Sequence, residues 1–169
     1  ILAMLRALQK LVVGIVLRVV HAALVELRVV DSRVRRELEA MEPGTSYSIR
    51  TGHDAPVLLV EWDGKGLCRR RTLDNATCSL AIKSVPLSFL LFTGQMGLAQ
   101  AYARHAFTLS GDVADVMKLA RMVNIVEAYL FPKFITRRIL TDIPPCEVCF
   151  LRVYGRILCG FLTFRYRFK

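Results

Sequence analysis

Apolar and polar residues recur along the chain with two different periods. Apolar residues follow a helical period over 1–29 and again after Gly111, and both segments are predicted to be helices. A further helix follows Asp31 or Ser32, which can cap it, and a short apolar helix follows Pro86. Between the helices, apolar stretches bounded by Gly, Pro and Asp-Gly turns predict five strands. The predicted strands cover 46–50, 56–62, 67–72, 76–82 and 106–109.

The two ends of the chain combine apolar residues with an excess of basic ones. The net charge is +10, and the excess lies in 1–30 and 132–169, whereas 31–131 is nearly neutral. Arms that bind nucleic acid are usually polar, but here the basic residues stand among Leu, Val, Ile and Phe. These apolar neighbours argue against nucleic acid as a partner and favour an anionic membrane surface.

Helical geometry places the basic residues of each end in a narrow stripe. In the first segment Arg6, Lys10, His21 and Arg28 fall within about 60° of one another around a helix. The predicted membrane contacts are Arg6, Lys10, Arg28, Arg152, Arg156 and Arg167. A membrane span is disfavoured because the apolar windows are shorter than about 18 uninterrupted residues. Packing of these helices on the domain, or on a second copy in a homo-oligomer, is the alternative.

The sequence contains no recognisable catalytic constellation. The three His are scattered, and neither G-x-S-x-G, a Walker loop nor H-E-x-x-H occurs. Cys146 and Cys149 have the spacing of half a zinc site but lack two further ligands, so no metal and no cofactor are predicted. Five cysteines, an odd number, suit a reducing compartment, and without a recognised signal peptide we expect the cytoplasm. Arg69, Arg70 and Arg71 are predicted to alternate between the faces of a strand, which would prevent a single basic patch.

Large apolar residues are concentrated between 87 and 131. Leu, Phe and Met are spread there over two predicted helical regions and one strand. Such a set suits a packed core and an adaptable cavity equally well, because Met fills irregular space at little cost.

The order of motifs over about 32–131 resembles the sterol carrier protein type 2 family. An Asp-Gly-Lys-Gly turn between two strands is followed by DNATCSLAI, FLLFTGQM, FTLSGD and the apolar helix VADVMKLARMV. The matching positions are Gly64, Gly66, Asn75, Ala76, Cys78, Phe89, Thr93, Gly94, Phe107, Gly111 and Asp112. The resemblance rests on the order of the motifs, and the basic apolar ends depart from the stand-alone carrier pattern.

This resemblance implies an α+β fold with a five-stranded, mainly antiparallel sheet. Helices would cover the sheet and enclose an apolar tunnel, with extra amphipathic helices at both ends. The chain would divide into an N-terminal helix at 1–30, a lipid-binding domain at 31–131 and a C-terminal tail at 132–169. Candidates for the tunnel lining are Leu87, Leu90, Leu91, Met96, Phe107, Met117, Met122 and Phe131.

The function implied is non-enzymatic binding or transfer of a long-chain lipid at a membrane surface. The ligand would be a fatty acid, an acyl-CoA, a sterol-like lipid or an isoprenoid. One alternative is an accessory factor that presents lipids for polyprenyl quinone biosynthesis. Another is a structural or interaction module without a ligand.

Overall fold

Seven helices and five strands form the part of the chain that the computed structural model describes, residues 2–72, 75–140 and 142–166. The elements in chain order are α1 (Leu2–Val30), α2 (Ser32–Glu39), β1 (Ser46–Arg50), β2 (Val57–Trp62), β3 (Leu67–Arg69), β4 (Cys78–Ile82), α3 (Val85–Phe92), α4 (Leu98–Ala103), β5 (Phe107–Gly111), α5 (Val113–Leu130), α6 (Lys133–Ile139) and α7 (Phe150–Leu162). The predicted α+β class is confirmed.

The five strands form one mixed sheet in the order β3-β2-β1-β4-β5. Three neighbouring pairs are antiparallel, and the central pair β1 and β4 is parallel, with Tyr47 opposite Cys78. The prediction of a mainly antiparallel sheet is therefore confirmed. The parallel pair arises because β1, β2 and β3 form a meander, after which the chain returns to place β4 on the other side of β1.

Local side-chain chemistry explains where the elements turn and begin. The Asp63 carboxylate accepts hydrogen bonds from the backbone N–H groups of Lys65 and Gly66 at 2.8 and 2.6 Å, which closes the predicted hairpin turn. Asp31 caps α2 and Asp112 caps α5, each through a hydrogen bond from a backbone N–H two residues further on. Strand β3 ends at Arg69, three residues earlier than predicted.

One face of the sheet packs against helices to form the main core. Tyr47, Ile49, Leu58, Val60 and Trp62 alternate along β1 and β2 and are buried there. Helices α1, α2, α5 and α7 supply the facing residues. The part of α1 from Val13 onward belongs to this core, so much of 1–30 packs together with the domain.

A buried carboxylate joins the C-terminal helix to α1. Glu26 is almost fully buried, and its two oxygens accept hydrogen bonds from Arg156 at 2.7 Å, Arg165 at 2.8 Å and Tyr166 at 2.9 Å. These contacts link residues more than 100 positions apart in sequence. They hold α7 and the turn after it against the protein.

A second network joins α2 to the segment before α7. The buried Asp31 accepts two hydrogen bonds from the Arg33 guanidinium and one from the Tyr129 hydroxyl. Burial alone would raise the pKa of Asp31, but these hydrogen bonds hold it below its usual value. Tyr129 also accepts a hydrogen bond from the backbone N–H of Glu147, whose carboxylate accepts from Ser32.

Candidate functional site: an apolar cavity with one carboxyl group

A small cavity lies between the helical face of the sheet and four helices. Its volume is about 90 Å³. Among the described residues, the lining side chains are all aliphatic or aromatic except one carboxyl group, that of Glu127. The lining consists of Val16, Val20, Ile49, Leu80, Leu91, Phe92, Leu98, Phe107, Leu109, Val116, Leu119, Ala120, Val123, Val126, Glu127, Leu130 and Phe131.

Strand register and helix period explain why these residues meet. Leu80 pairs with Ile49 on one side and Leu109 on the other, so the three side chains lie on the same face of the sheet. On α5 the lining positions repeat every three or four residues and fall within an arc of about 120°. The cavity is thus the space between one sheet face and one helix stripe.

The cavity approaches the surface beside the edge strand β5. Leu109, in its wall, is 42% exposed, and Val116 at the start of α5 is half-buried. Val113 and Met117 lie one helical turn apart on α5, within three residues of Val116 in the sequence, and both are exposed. An apolar ligand would therefore meet apolar side chains at this edge.

The structure distributes the predicted lining residues over four places. Three of them, Leu91, Phe107 and Phe131, line the cavity. Leu87, Leu90 and Met96 belong to the adjoining apolar cluster that also contains Leu91 and Phe107. Met122 is 1% exposed in the main core, and Met117 is 51% exposed on the surface. The spacing of apolar residues in the sequence did not show which face of α5 meets the sheet, so Met117 and Met122 were chosen although neither lines the cavity.

Glu127 was missed by sequence reasoning. Its residue surface is only 8% exposed, and its Oε2 atom has no hydrogen-bond partner among the described residues. Burial raises the pKa of this carboxyl group to about 7, which keeps much of it protonated near neutral pH. Position 127 falls inside the apolar arc of α5, so a helical projection of that segment would have revealed it.

A second, basic pocket lies on the other side of α1. It has a volume of about 470 Å³ and is lined by Arg18, His21, Arg69, Arg71, Gly160, Phe161, Phe164 and Tyr166. The run of three arginines is divided between two places, as predicted, although β3 ends at Arg69 and Arg71 lies beyond the strand. Arg69 and Arg71 line this pocket, whereas Arg70 pairs with Glu61 at 2.8 Å. Burial, together with the nearby Arg18, lowers the pKa of Arg69.

Comparison with solved structures finds three similar chains whose names refer to SCP2 or to a sterol carrier protein. A protein titled UbiJ-SCP2 ubiquinone synthesis protein aligns with a TM-score of 0.45 and 10% identity over 62% of this chain and 90% of its own. Sterol carrier protein 2 like 2 from Aedes aegypti aligns with a TM-score of 0.36 and 13% identity over 57% of this chain and 94% of its own. A hypothetical protein from Thermus thermophilus, titled as a possible sterol carrier protein, aligns with a TM-score of 0.43 and 14% identity over 76% of this chain and 90% of its own.

The likeness is one of structure. No protein-family model matches the chain, and no curated protein matches it in sequence.

The predicted membrane contacts also occupy different environments. Arg6 and Arg152 are exposed, and Lys10 is half-buried. The Arg28 guanidinium stacks on the Trp62 ring, 5.2 Å from its centroid, and Arg156 pairs with Glu26. The last of the six, Arg167, lies outside the described residues. Arg28 and Arg156 therefore make contacts within the protein, because their partners Trp62 and Glu26 are buried.

Helix α1 is long and apolar enough to cross a membrane by length and composition. A core helix of a soluble domain passes the same test, and α1 contributes Leu17 and Leu24 to the core. Its first part differs, since Leu2, Met4, Leu5, Leu8 and Leu11 are all at least half exposed. The apolar surface of α1 is thus divided between core and solvent.

Proposed function

We propose that this protein binds a long-chain lipid without converting it chemically. The observation that supports this proposal is the cavity between sheet and helices, whose wall is apolar except for Glu127. Each methylene group that moves from water into such a cavity contributes about 0.8 kcal/mol. A chain of several methylene groups therefore supplies the affinity without any specific polar contact.

Binding requires the cavity to expand. Its volume of about 90 Å³ accommodates only a few methylene groups, while ligand pockets are usually about 300–1,000 Å³. We propose that an entering chain displaces Leu109 at the edge and then reaches the adjoining cluster of Leu87, Leu90 and Met96. Met96 suits this role because its unbranched side chain adapts to new shapes.

The polar groups around the cavity support a carrier rather than an enzyme. An acid–base or nucleophilic mechanism needs two or more polar side chains in mutual contact at the reacting atoms. Among the described lining residues, Glu127 alone has a titratable side chain. We therefore assign the cavity to binding.

We further propose that the protein binds peripherally to an anionic membrane in the cytoplasm. The exposed apolar surface of the first part of α1 carries Arg6 and Lys10 beside it, and α7 exposes Leu151 and Leu158 beside Arg152. Apolar residues flanked by cations suit a surface that offers both acyl chains and negative head groups. A second copy of the chain would offer apolar surface but also a net charge of +10.

Lipid extraction from the purified protein, followed by mass spectrometry, tests the proposal. We expect a co-purifying lipid, and we expect Ala120→Leu to reduce its occupancy several-fold because the added carbons fill the cavity. Ala114→Leu on the exposed side of α5 is the matched control and should leave occupancy unchanged. Equal occupancy in all three proteins, or no bound lipid and no uptake from lipid mixtures, would contradict the proposal.

The identity of the extracted lipid also tests the polyprenyl alternative. An isoprenoid quinone or its precursor would support a role in presenting such lipids to biosynthetic enzymes. A mixture of acyl lipids would support general binding or transfer instead.

A further inference from the structure

The Glu127 carboxyl group is the polar feature of the cavity wall. It lies in the last turn of α5, with Val123 and Leu130 of the lining stripe about one turn away on either side. More than nine-tenths of the residue surface is buried, and Oε2 has no hydrogen-bond partner among the described residues. An isosteric apolar residue would fill the same space without an unmet hydrogen bond.

Leaving this group unpaired is unfavourable in either protonation state. An ionised carboxylate would lie in an apolar cavity without a cation, since the other lining residues are Val, Ile, Leu, Phe and Ala on α1, α3, α4, α5, the strands and residue 131. A protonated carboxyl group has an O–H donor and a carbonyl acceptor, and the buried Oε2 atom has no partner in either role among the described residues. The raised pKa of about 7 is consistent with the protonated state.

We propose that Glu127 binds the uncharged polar group of the lipid, so that the cavity selects lipids that carry a hydroxyl or a carbonyl. The protonated carboxyl group donates its O–H to the oxygen of the ligand, and its own carbonyl accepts from a ligand hydroxyl. This assignment rests on the proposed lipid binding and specifies the class of lipid.

The same geometry disfavours two other classes. A pure hydrocarbon would leave the buried Oε2 atom of Glu127 unsatisfied. A fatty acid anion would bring a negative charge into a cavity where no described side chain is cationic. Neutral lipids with one polar group near the chain therefore fit best.

Four ligands with the same chain length separate these classes. We suggest dodecane, 1-dodecanol, 2-dodecanone and laurate, each displacing the neutral fluorophore N-phenyl-1-naphthylamine from the full chain at pH 6. The wild-type protein should bind dodecanol and dodecanone about tenfold more tightly than dodecane, the gain expected for one neutral hydrogen bond. Laurate should bind less tightly than dodecanol.

Variants at position 127 assign the preference to the carboxyl group. Glu127→Leu should bind dodecane at least as well as the wild type and should lose the preference for dodecanol. Glu127→Gln should keep that preference, because the amide also donates and accepts. Leu130→Met, a wall residue without a hydrogen-bonding group, is the control and should change all four affinities in parallel. Far-UV circular dichroism confirms that each variant is folded.

The outcomes distinguish the two proposals. If no ligand displaces the fluorophore from the wild type, lipid binding itself is wrong, and this inference fails with it. If dodecane binds but dodecanol shows no advantage in the wild type, or the same advantage in Glu127→Leu, only the assignment of Glu127 is overturned. Tightest binding of laurate would likewise overturn it.

Discussion

Individual residues of the same type differ in role according to the partner that each one contacts. Arg152 and Arg156 lie on one helix and share a predicted stripe, yet Arg152 is exposed and Arg156 binds the buried Glu26. Arg28 belongs to the predicted stripe of α1 and likewise contacts a partner inside the protein, since its guanidinium stacks on Trp62. The partners are distant in sequence, so helical period alone could not distinguish a surface cation from a paired one.

At the same scale, Glu127 makes stability depend on pH. Its folded pKa of about 7 exceeds the ordinary value of 4.5, so the folded state binds this proton more strongly. The stabilisation is complete below about pH 4.5 and is lost as pH rises to about 7, a loss of about 3 kcal/mol. We expect Glu127→Gln, which cannot titrate, to lack this contribution.

The measurement is the free energy of unfolding by urea for both proteins at several pH values between 4 and 8. Subtracting the two series removes the contributions of groups whose pH dependence has the opposite sign, such as His21, whose pKa is lowered by burial. A wild-type-minus-variant difference that stays constant across this range would contradict a raised pKa for Glu127.

At the scale of elements, local chemistry was predictable and packing was not. Asp63 and Gly64 form the hairpin turn and Asp31 caps α2, as predicted from their residue types, since these effects involve neighbours within a few residues. The burial of α1 depends instead on contacts such as Glu26 with Arg165. For the same reason, three of the proposed lining residues lie in the cavity wall, whereas Glu127 was not among the candidates.

The junction between β5 and α5 depends on Gly111. Its φ of +120° is rarely adopted by other residues, and an added Cβ would lie 2.9 Å from the Cα of Cys78 on the neighbouring strand. We expect Gly111→Ala to lower the free energy of unfolding by about 1–3 kcal/mol, as measured by urea titration. It should also lower lipid occupancy, because the junction positions the edge of the cavity.

Gly155 provides the matched control. It lies within α7, where an added Cβ meets no atom within 4 Å. Gly155→Ala should therefore stabilise the protein by about 1 kcal/mol through helix propensity. A Gly111→Ala protein as stable as the wild type would show that the junction tolerates a side chain.

At the scale of the whole molecule, the ends of the chain are joined to the domain. Val13, Leu17 and Leu24 of α1 contribute to the core, and Val153 and Ile157 of α7 join them. Removing 1–30 and 132–169 would thus expose core surface, so truncation cannot separate membrane binding from folding. Substitutions on the exposed first part of α1 are the appropriate test.

The test replaces Leu5 and Leu8 together by Glu and measures sedimentation with vesicles. The wild type should bind phosphatidylglycerol vesicles more tightly than phosphatidylcholine vesicles, and about 1 M salt should weaken this binding without abolishing it, because screening reduces only the charge contribution. Each leucine contributes about 1.5–3 kcal/mol when buried, so the double variant should bind at least about tenfold more weakly. Tyr102→Glu, at an exposed residue of α4, is the control and should bind like the wild type. Equal wild-type binding to both vesicle types at every salt concentration would contradict an anionic surface as the partner. If sedimentation velocity shows a dimer that the double substitution dissociates, the surface binds a second copy of the chain instead.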